Sequence, residues 1–202
     1  MRASVFNCIL AGVGGQGTVL ASKLLAQTAM HQGLPAHTAE TIGMAQRGGC
    51  VVSHVRVGAG AASPLIPRRT ADLLLGFEPA EAVRCLSYVR PGGVLVVSTK
   101  AIAPVTASLS QTGYSGEEML GHLRAQPQRL VLVDGEAVCR AAGSSRVLNV
   151  SLLGAAAAVG AVDFTLDDFA ETIRARIPAK YVELNLRALQ LGARAAEGSQ
   201  FV

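Results

Sequence analysis

The sequence predicts an α/β fold: a doubly wound, mostly parallel sheet with a helical C-terminal tail. Three observations carry this expectation. Short apolar runs of strand length, near residues 5–11, 71–77, 94–98 and 129–135, are separated by segments with other spacings, and some of these are helical. That alternation builds a parallel sheet covered by helices on both faces. The first run ends in four glycines within six positions, Gly12, Gly14, Gly15 and Gly17, and then resumes with helical character. Beyond about residue 136 the pattern is helical to the end. A chain of 202 residues is one domain by length, with about 1–148 as the α/β core and about 149–202 as the tail.

Each element has its own reason. "VFNCILA" (5–11) is apolar throughout, as a strand buried on both faces must be. From Gly17, the spacing of Leu20, Leu24, Thr28 and His31, with Ala21 and Leu25 beside them, marks a helix ended by Gly33. "PAHTAE" (35–40) is a second strand. In "CVVSHVRV" (50–57), Val51, Ser53, Val55 and Val57 face one way while Val52, His54 and Arg56 face the other. "GAGAASPLIP" (58–67) holds too much Gly and Pro to be regular. "ADLLLGF" (71–77) is a strand, followed by a helix from about Pro79 to Tyr88, and Pro91-Gly92-Gly93 turns into the strand "VLVVS" (94–98). A polar, turn-rich connection leads to "RLVLVDG" (129–135). Helices follow at about 136–142, 149–160, 166–176 and 179–195. Asp134 caps the first, Asp163 or Thr165 the third, and Pro178 opens the last.

Composition narrows the function. Half of the residues are hydrophobic and 16% are charged, so part of the apolar surface is expected to face a partner chain. The net charge of +4, from 18 basic and 14 acidic residues, is scattered, with Arg68-Arg69 the densest pair. Without a basic cluster or any Trp, nucleic acid is not an expected partner. Cys8, Cys50, Cys85 and Cys139 form no CxxC pair, which argues against zinc or iron-sulfur ligation by local spacing and for reduced, structural thiols. The start "MRASVFNCILAGV" is too short in apolar core for a secretory signal, and no apolar run is long enough for a membrane span. A cytoplasmic protein with no membrane partner is the expectation.

Chemistry begins at the glycines. Peptide N–H groups bared at the start of a helix, where the dipole adds partial positive charge, can seat a phosphate or carboxylate. Gly12, Gly14 and Gly17 satisfy GxGxxG between a strand and a helix, and Glu40 lies near the place where an acid would hold a ribose, so a dinucleotide site is one reading. A Walker-type loop is not, because Thr18 stands where its lysine must be. Tight strand-to-helix packing alone is a third possibility. "TIGMAQRGG" carries Thr41, Gln46, Arg47, Gly48 and Gly49, and in a doubly wound sheet this loop can sit beside the glycine turn and offer the guanidinium fork of Arg47 to an anion. His54 reads as a partly buried structural residue, and His31, His37 and His122 show no ligand spacing. Ser108 and Ser110 lack a nearby base, and Lys180 can equally be a solvated charge.

Together "GVGGQGTVLASKLLA", "TAETIGMAQRGGCVVSHVRVG" and "LLGFEPAEAVR" resemble the gamma-type domain of 2-oxoacid:ferredoxin oxidoreductases, most of all the branch acting on indolepyruvate. "NVSLLGAAAAVG" and "IPAKYVELNLRALQLG", with Lys180 and Asn185, resemble its tail, so the similarity spans roughly residues 5–193. The resemblance implies a Rossmann-like fold. It also implies a heterodimeric or heterotetrameric complex in which a larger subunit carries thiamine diphosphate with magnesium and the 4Fe-4S clusters. There a 2-oxoacid is decarboxylated, electrons pass to ferredoxin and coenzyme A takes the acyl group. Coenzyme A would bind at or near the present chain, which holds no cofactor tightly alone and supplies no assigned catalytic residue. Gly12, Gly14, Gly15, Gln16, Gly17 and Thr18 would cradle its phosphates, with Thr41, Gln46, Arg47, Gly48 and Gly49 closing over it or over the thiamine site. A free-standing nicotinamide or flavin reductase and a non-catalytic scaffold remain the alternatives.

Overall fold

A computed structural model describes residues 5–42, 49–103 and 114–198. Six strands form one sheet in the order β2-β3-β1-β4-β5-β6. They are β1 (Phe6–Val13), β2 (Ala36–Ile42), β3 (Cys50–Val57), β4 (Ala71–Gly76), β5 (Val89–Ser98) and β6 (Arg129–Val133). β1, β4, β5 and β6 are parallel neighbours, as the alternating pattern predicts. β3 is the exception, running antiparallel to both β1 and β2. The reason is chain length: the stretch between Ile42 and Cys50 falls short of the dozen or so residues a parallel crossover needs.

The helices are α1 (Thr18–His31), α2 (Pro79–Cys85), α3 (Gly116–Arg124), α4 (Gly135–Ala142), α5 (Leu148–Ala158), α6 (Leu166–Arg176) and α7 (Ala179–Glu197). Alternate residues of each strand feed two cores. Cys8, Leu10, Leu73, Leu75, Val96 and Val131 join Leu24 and Leu25 of α1, Leu152 of α5, Phe169 of α6 and Leu189 of α7. On the other face, Ile9, Ala11, Leu74, Leu95 and Leu130 pack with Ala82 and Cys85 of α2 and Leu120 and Leu123 of α3. The sheet is therefore doubly wound, and α5 is enclosed: nine of its residues, Leu148 to Ala156, are buried.

Three local expectations need correction. The connection read as polar and turn-rich contains α3, whose only buried residues are Leu120 and Leu123, so its apolar stripe is too thin to stand out. The helix expected to reach Tyr88 ends at Cys85 and tightens into a 3-10 turn, Leu86–Tyr88. Pro91-Gly92-Gly93 does turn the chain, but inside β5. Ala71 pairs with Val89 and Leu73 with Val94, so Arg90 to Gly93 bulge out, with Gly92 at φ 74°.

Two caps follow the sequence directly. Asp134 accepts hydrogen bonds from the N–H groups of Glu136 and Ala137 at α4. Thr165, rather than Asp163, caps α6 in a reciprocal box: its Oγ1 accepts from the Asp168 N–H (3.2 Å) and Asp168 Oδ2 accepts from the Thr165 N–H (2.7 Å). Thr165→Ala is expected to lower stability by about 1 kcal/mol, measured by denaturant unfolding, with no change in fold.

Candidate functional site

β1 delivers the glycine turn to the carboxyl end of the sheet, where ligands of doubly wound proteins bind. At Gly12 a Cβ would lie 2.8 Å from both Gln16 Oε1 and Phe77 Cβ. Gly17 has φ 80°, and a Cβ there would lie 2.6 Å from Asn149 Nδ2. Gly15 has φ 101°, and no atom of the described residues lies within 4 Å of a Cβ there. Only glycine meets all three conditions without strain. Gly17 starts α1 in the left-handed conformation and gives the helix no side-chain cap. The first-turn N–H groups of a helix have no partner within it, so they stay available to an acceptor from outside.

The turn is held from within. Gln16 Oε1 accepts from the Val13 N–H (2.8 Å) and its Nε2 donates to the Phe77 carbonyl (2.9 Å). Its carboxamide thus braces the loop from the inside, and the backbone N–H of Gln16 also bonds within the turn, to the Val13 carbonyl (3.2 Å). The Gly14 N–H donates to the Gly49 carbonyl (2.8 Å), which ties the turn to the start of β3. Thr18 is buried, and Asn149 Nδ2, at the start of α5, donates to the Gly17 carbonyl (3.4 Å). Gly12, Gly14, Gly15, Gln16, Gly17, Thr18 and Gly49 therefore belong to one assembly. Thr41 is apart from it: the register Thr41–Val52–Ala11 puts β3 between Thr41 and β1. Gln46, Arg47 and Gly48 lie outside the described residues.

The same topology answers the dinucleotide reading. In a dinucleotide fold the second strand adjoins the first, which brings its acid to the ribose. Here β3 separates β2 from β1, and Glu40 Oε1 instead accepts from Ser22 Oγ on α1 (3.4 Å).

Two acids that sequence reasoning passed over lie at the carboxyl end of β4. Glu78 is 1% exposed; its Oε2 accepts from the Glu81 N–H (3.1 Å), and its Oε1 accepts from Tyr114 O–H and from the Ile102 N–H (3.4 Å). Burial, and then the Glu78 carboxylate, push the Tyr114 phenol well above its ordinary range, so it stays a donor. Glu81 is buried and pairs with the exposed Arg84 (3.4 Å). The signal available in the sequence was "GFEPAEA", with two acids three apart at the entry to a proline-started helix.

The pyruvate ferredoxin/flavodoxin oxidoreductase family matches residues 7–195. The chain belongs to this family. It is 37% identical to the indolepyruvate oxidoreductase subunit IorB of Archaeoglobus fulgidus over 92% of each chain. To the subunit of the same name from Thermococcus kodakarensis it is 31% identical, over 95% of this chain and 96% of that one. Among solved structures, the gamma subunit of a keto/oxoacid ferredoxin oxidoreductase from Geobacter sulfurreducens shares the fold with a TM-score of 0.69 and 24% identity, over 95% of this chain and 98% of that one. A 2-oxoglutarate:ferredoxin oxidoreductase from Magnetococcus marinus, solved with 2-oxoglutarate, coenzyme A and succinyl-CoA bound, gives a TM-score of 0.73 at 16% identity. That match covers all of this chain and 32% of the other.

Within this oxidoreductase-family chain the thiols are quiet. Burial, then Glu81, pushes Cys50 up to about 11; burial pushes Cys85 up to about 12 and raises Cys8 and Cys139. All four are free, and Cys50 alone is exposed. Among the described residues no three His, Cys, Asp or Glu side chains are placed to hold a metal ion, and no helix is long and apolar enough to cross a membrane.

His54 is structural. Its Nδ1 accepts from the Ile66 N–H (3.2 Å), and its ring meets Tyr88 edge-on at 5.5 Å. Burial lowers its pKa below the ordinary value of 6.5. The folded chain therefore resists a proton that the unfolded chain accepts. The stability this group contributes is full above about pH 6.5 and is lost as pH falls toward the lowered folded value. His54→Asn keeps an acceptor for Ile66 but does not titrate. Between pH 7 and 5 its unfolding free energy should fall less steeply than that of the parent, by at most about 1.4 kcal/mol per pH unit.

Proposed function

We propose that the chain is the smaller subunit of an indolepyruvate oxidoreductase, working in complex with a larger subunit that holds thiamine diphosphate with magnesium and 4Fe-4S clusters. In this reading the glycine turn seats a phosphate of coenzyme A. The observation that carries it is the uncapped mouth of α1, framed by Gly12, Gly15 and Gly17 and braced internally by Gln16. Identity to the IorB subunits supports the substrate class.

The partner's cofactors, when bound, supply decarboxylation of the 2-oxoacid and carry its electrons toward ferredoxin. The work of the present chain is binding and orientation. N–H donors fixed before the ligand arrives hold a phosphate without rearrangement, so less ordering cost opposes binding. Gln16 keeps those donors in place by using its own polar atoms on Val13 and Phe77. Glu78, which joins α2, Ile102 and Tyr114 at the same end of the sheet, fixes the neighbouring wall.

The test is reconstitution with the larger subunit. The complex is expected to oxidise indolepyruvate in a coenzyme A-dependent way with a ferredoxin-type acceptor, and the present chain alone to be inactive. Full activity of the isolated chain, or tight saturable binding of NAD or FAD to it, overturns the reading.

A further inference from the structure

The amino ends of β4, β5 and β6, opposite the glycine turn, frame a cleft of about 360 Å³ lined by Arg69, Ser87, Pro91, Gln126, Pro127 and Gln128, among others. The β5 bulge that contains Pro91 forms one wall. That volume lies at the lower end of small-molecule sites. Among the described residues the lining holds one cation, Arg69, and no acid.

Arg69 is the one non-glycine residue with positive φ (61°) among the described residues. Its N–H is pinned to the Ser87 carbonyl (3.0 Å). Glycine would take this conformation freely, whereas arginine is strained in it, and such strain persists where the side chain is useful. Among the described residues its guanidinium has no ion pair or hydrogen bond, while the nearby Arg90 is engaged by Asp72 (2.8 Å). Gln126 Nε2 is spent on the His122 carbonyl (3.1 Å), and Gln128 Oε1 has no hydrogen-bond partner. An unpaired guanidinium suits an anion, and an unmatched amide oxygen suits a neighbouring N–H or O–H donor.

We propose that this cleft binds a small organic anion, a carboxylate or phosphate bearing a hydroxyl or amino donor, with Arg69 as its anchor. The Arg68-Arg69 pair, the densest basic point in the sequence, has no part in the glycine turn, so this site stands or falls independently of the coenzyme A reading.

The full-length chain, 15N-labelled, is titrated with lactate and with glycerol 3-phosphate, using acetate, which has no donor, as the reference. Saturable shifts at the amides of Arg69, Ser87 and Gln128 are expected, and the tighter probe identifies the preferred head group. Arg69→Gly should weaken that binding about tenfold or more while leaving the thermal midpoint unchanged or raised, because the strain is relieved as the charge is lost. Absence of saturation by both probes, shifts confined to Gly14, Gly15 and Gly17, or unaltered affinity in Arg69→Gly overturns the proposal. Acetate binding as tightly as lactate also overturns it, by removing the need for a donor.

Discussion

Gly192→Ala lowers the thermal midpoint by roughly 6–12 °C, the shift that about 3 kcal/mol produces in a chain of this size. The cause is the crossing of α5 and α7. A Cβ at Gly192 would fall on the carbonyl oxygen of Ser151, and one at Gly154 on the carbonyl of Leu189, both far inside van der Waals contact. These obstacles are backbone, so no rotamer change removes them. The helices must part, and Leu152, Leu153 and Leu189, all buried in the shared core, lose contacts with them. Overpacking costs about 1–3 kcal/mol and occasionally more, and backbone-on-backbone overlap belongs at the upper end even after alanine's better helix propensity. Gly121→Ala is the control. It lies inside α3 with no atom of the described residues within 4 Å of a Cβ, so it should raise stability by up to about 1 kcal/mol. Calorimetry of both variants decides the matter, and a Gly192→Ala midpoint within about 2 °C of the parent would sink the close-crossing argument.

That crossing also shows where the sequence stops being legible. Strands β1, β4 and β6 announce themselves because each is apolar on both faces, and the GxGxxG turn because four glycines follow one of them. α5 and α7 were readable as helices, but Gly154 and Gly192 lie 38 positions apart and nothing local pairs them. The inverted β3 was within reach from the short link that precedes it, since chain length alone forbids a parallel crossover. At the site, glycine conformations were foreseeable, but the direction of the Gln16 carboxamide was not. A side chain expected to serve a ligand serves Val13 and Phe77, because a turn this bare has few other ways to satisfy its own backbone. Glu78 escaped notice for a related reason: its partners Ile102 and Tyr114 reach it from another part of the chain.

The second large effect is functional. In the reconstituted complex, Gly15→Val is expected to raise the KM for coenzyme A about tenfold or more while the complex still assembles. Two physical effects separate at this position. At φ 101° a β-branched residue is strained by about 1–3 kcal/mol, which unfolding of the variant reports. Because no atom of the described residues lies within 4 Å of the added Cβ, the side chain does not crowd the core, and on the proposed reading it takes up room at the glycine turn that a phosphate would use. Losing a single charge-assisted N–H bond to that phosphate costs about 1.5–3 kcal/mol, which is tenfold or more in affinity. Gly143→Val supplies the comparison, with φ 88°, no atom of the described residues within 4 Å of a Cβ, and a position at the C-terminus of α4. It should lose stability to a similar degree without moving the KM. If Gly15→Val and Gly143→Val affect coenzyme A alike, the glycine turn only connects β1 to α1, and the phosphate seat must be sought elsewhere in the complex.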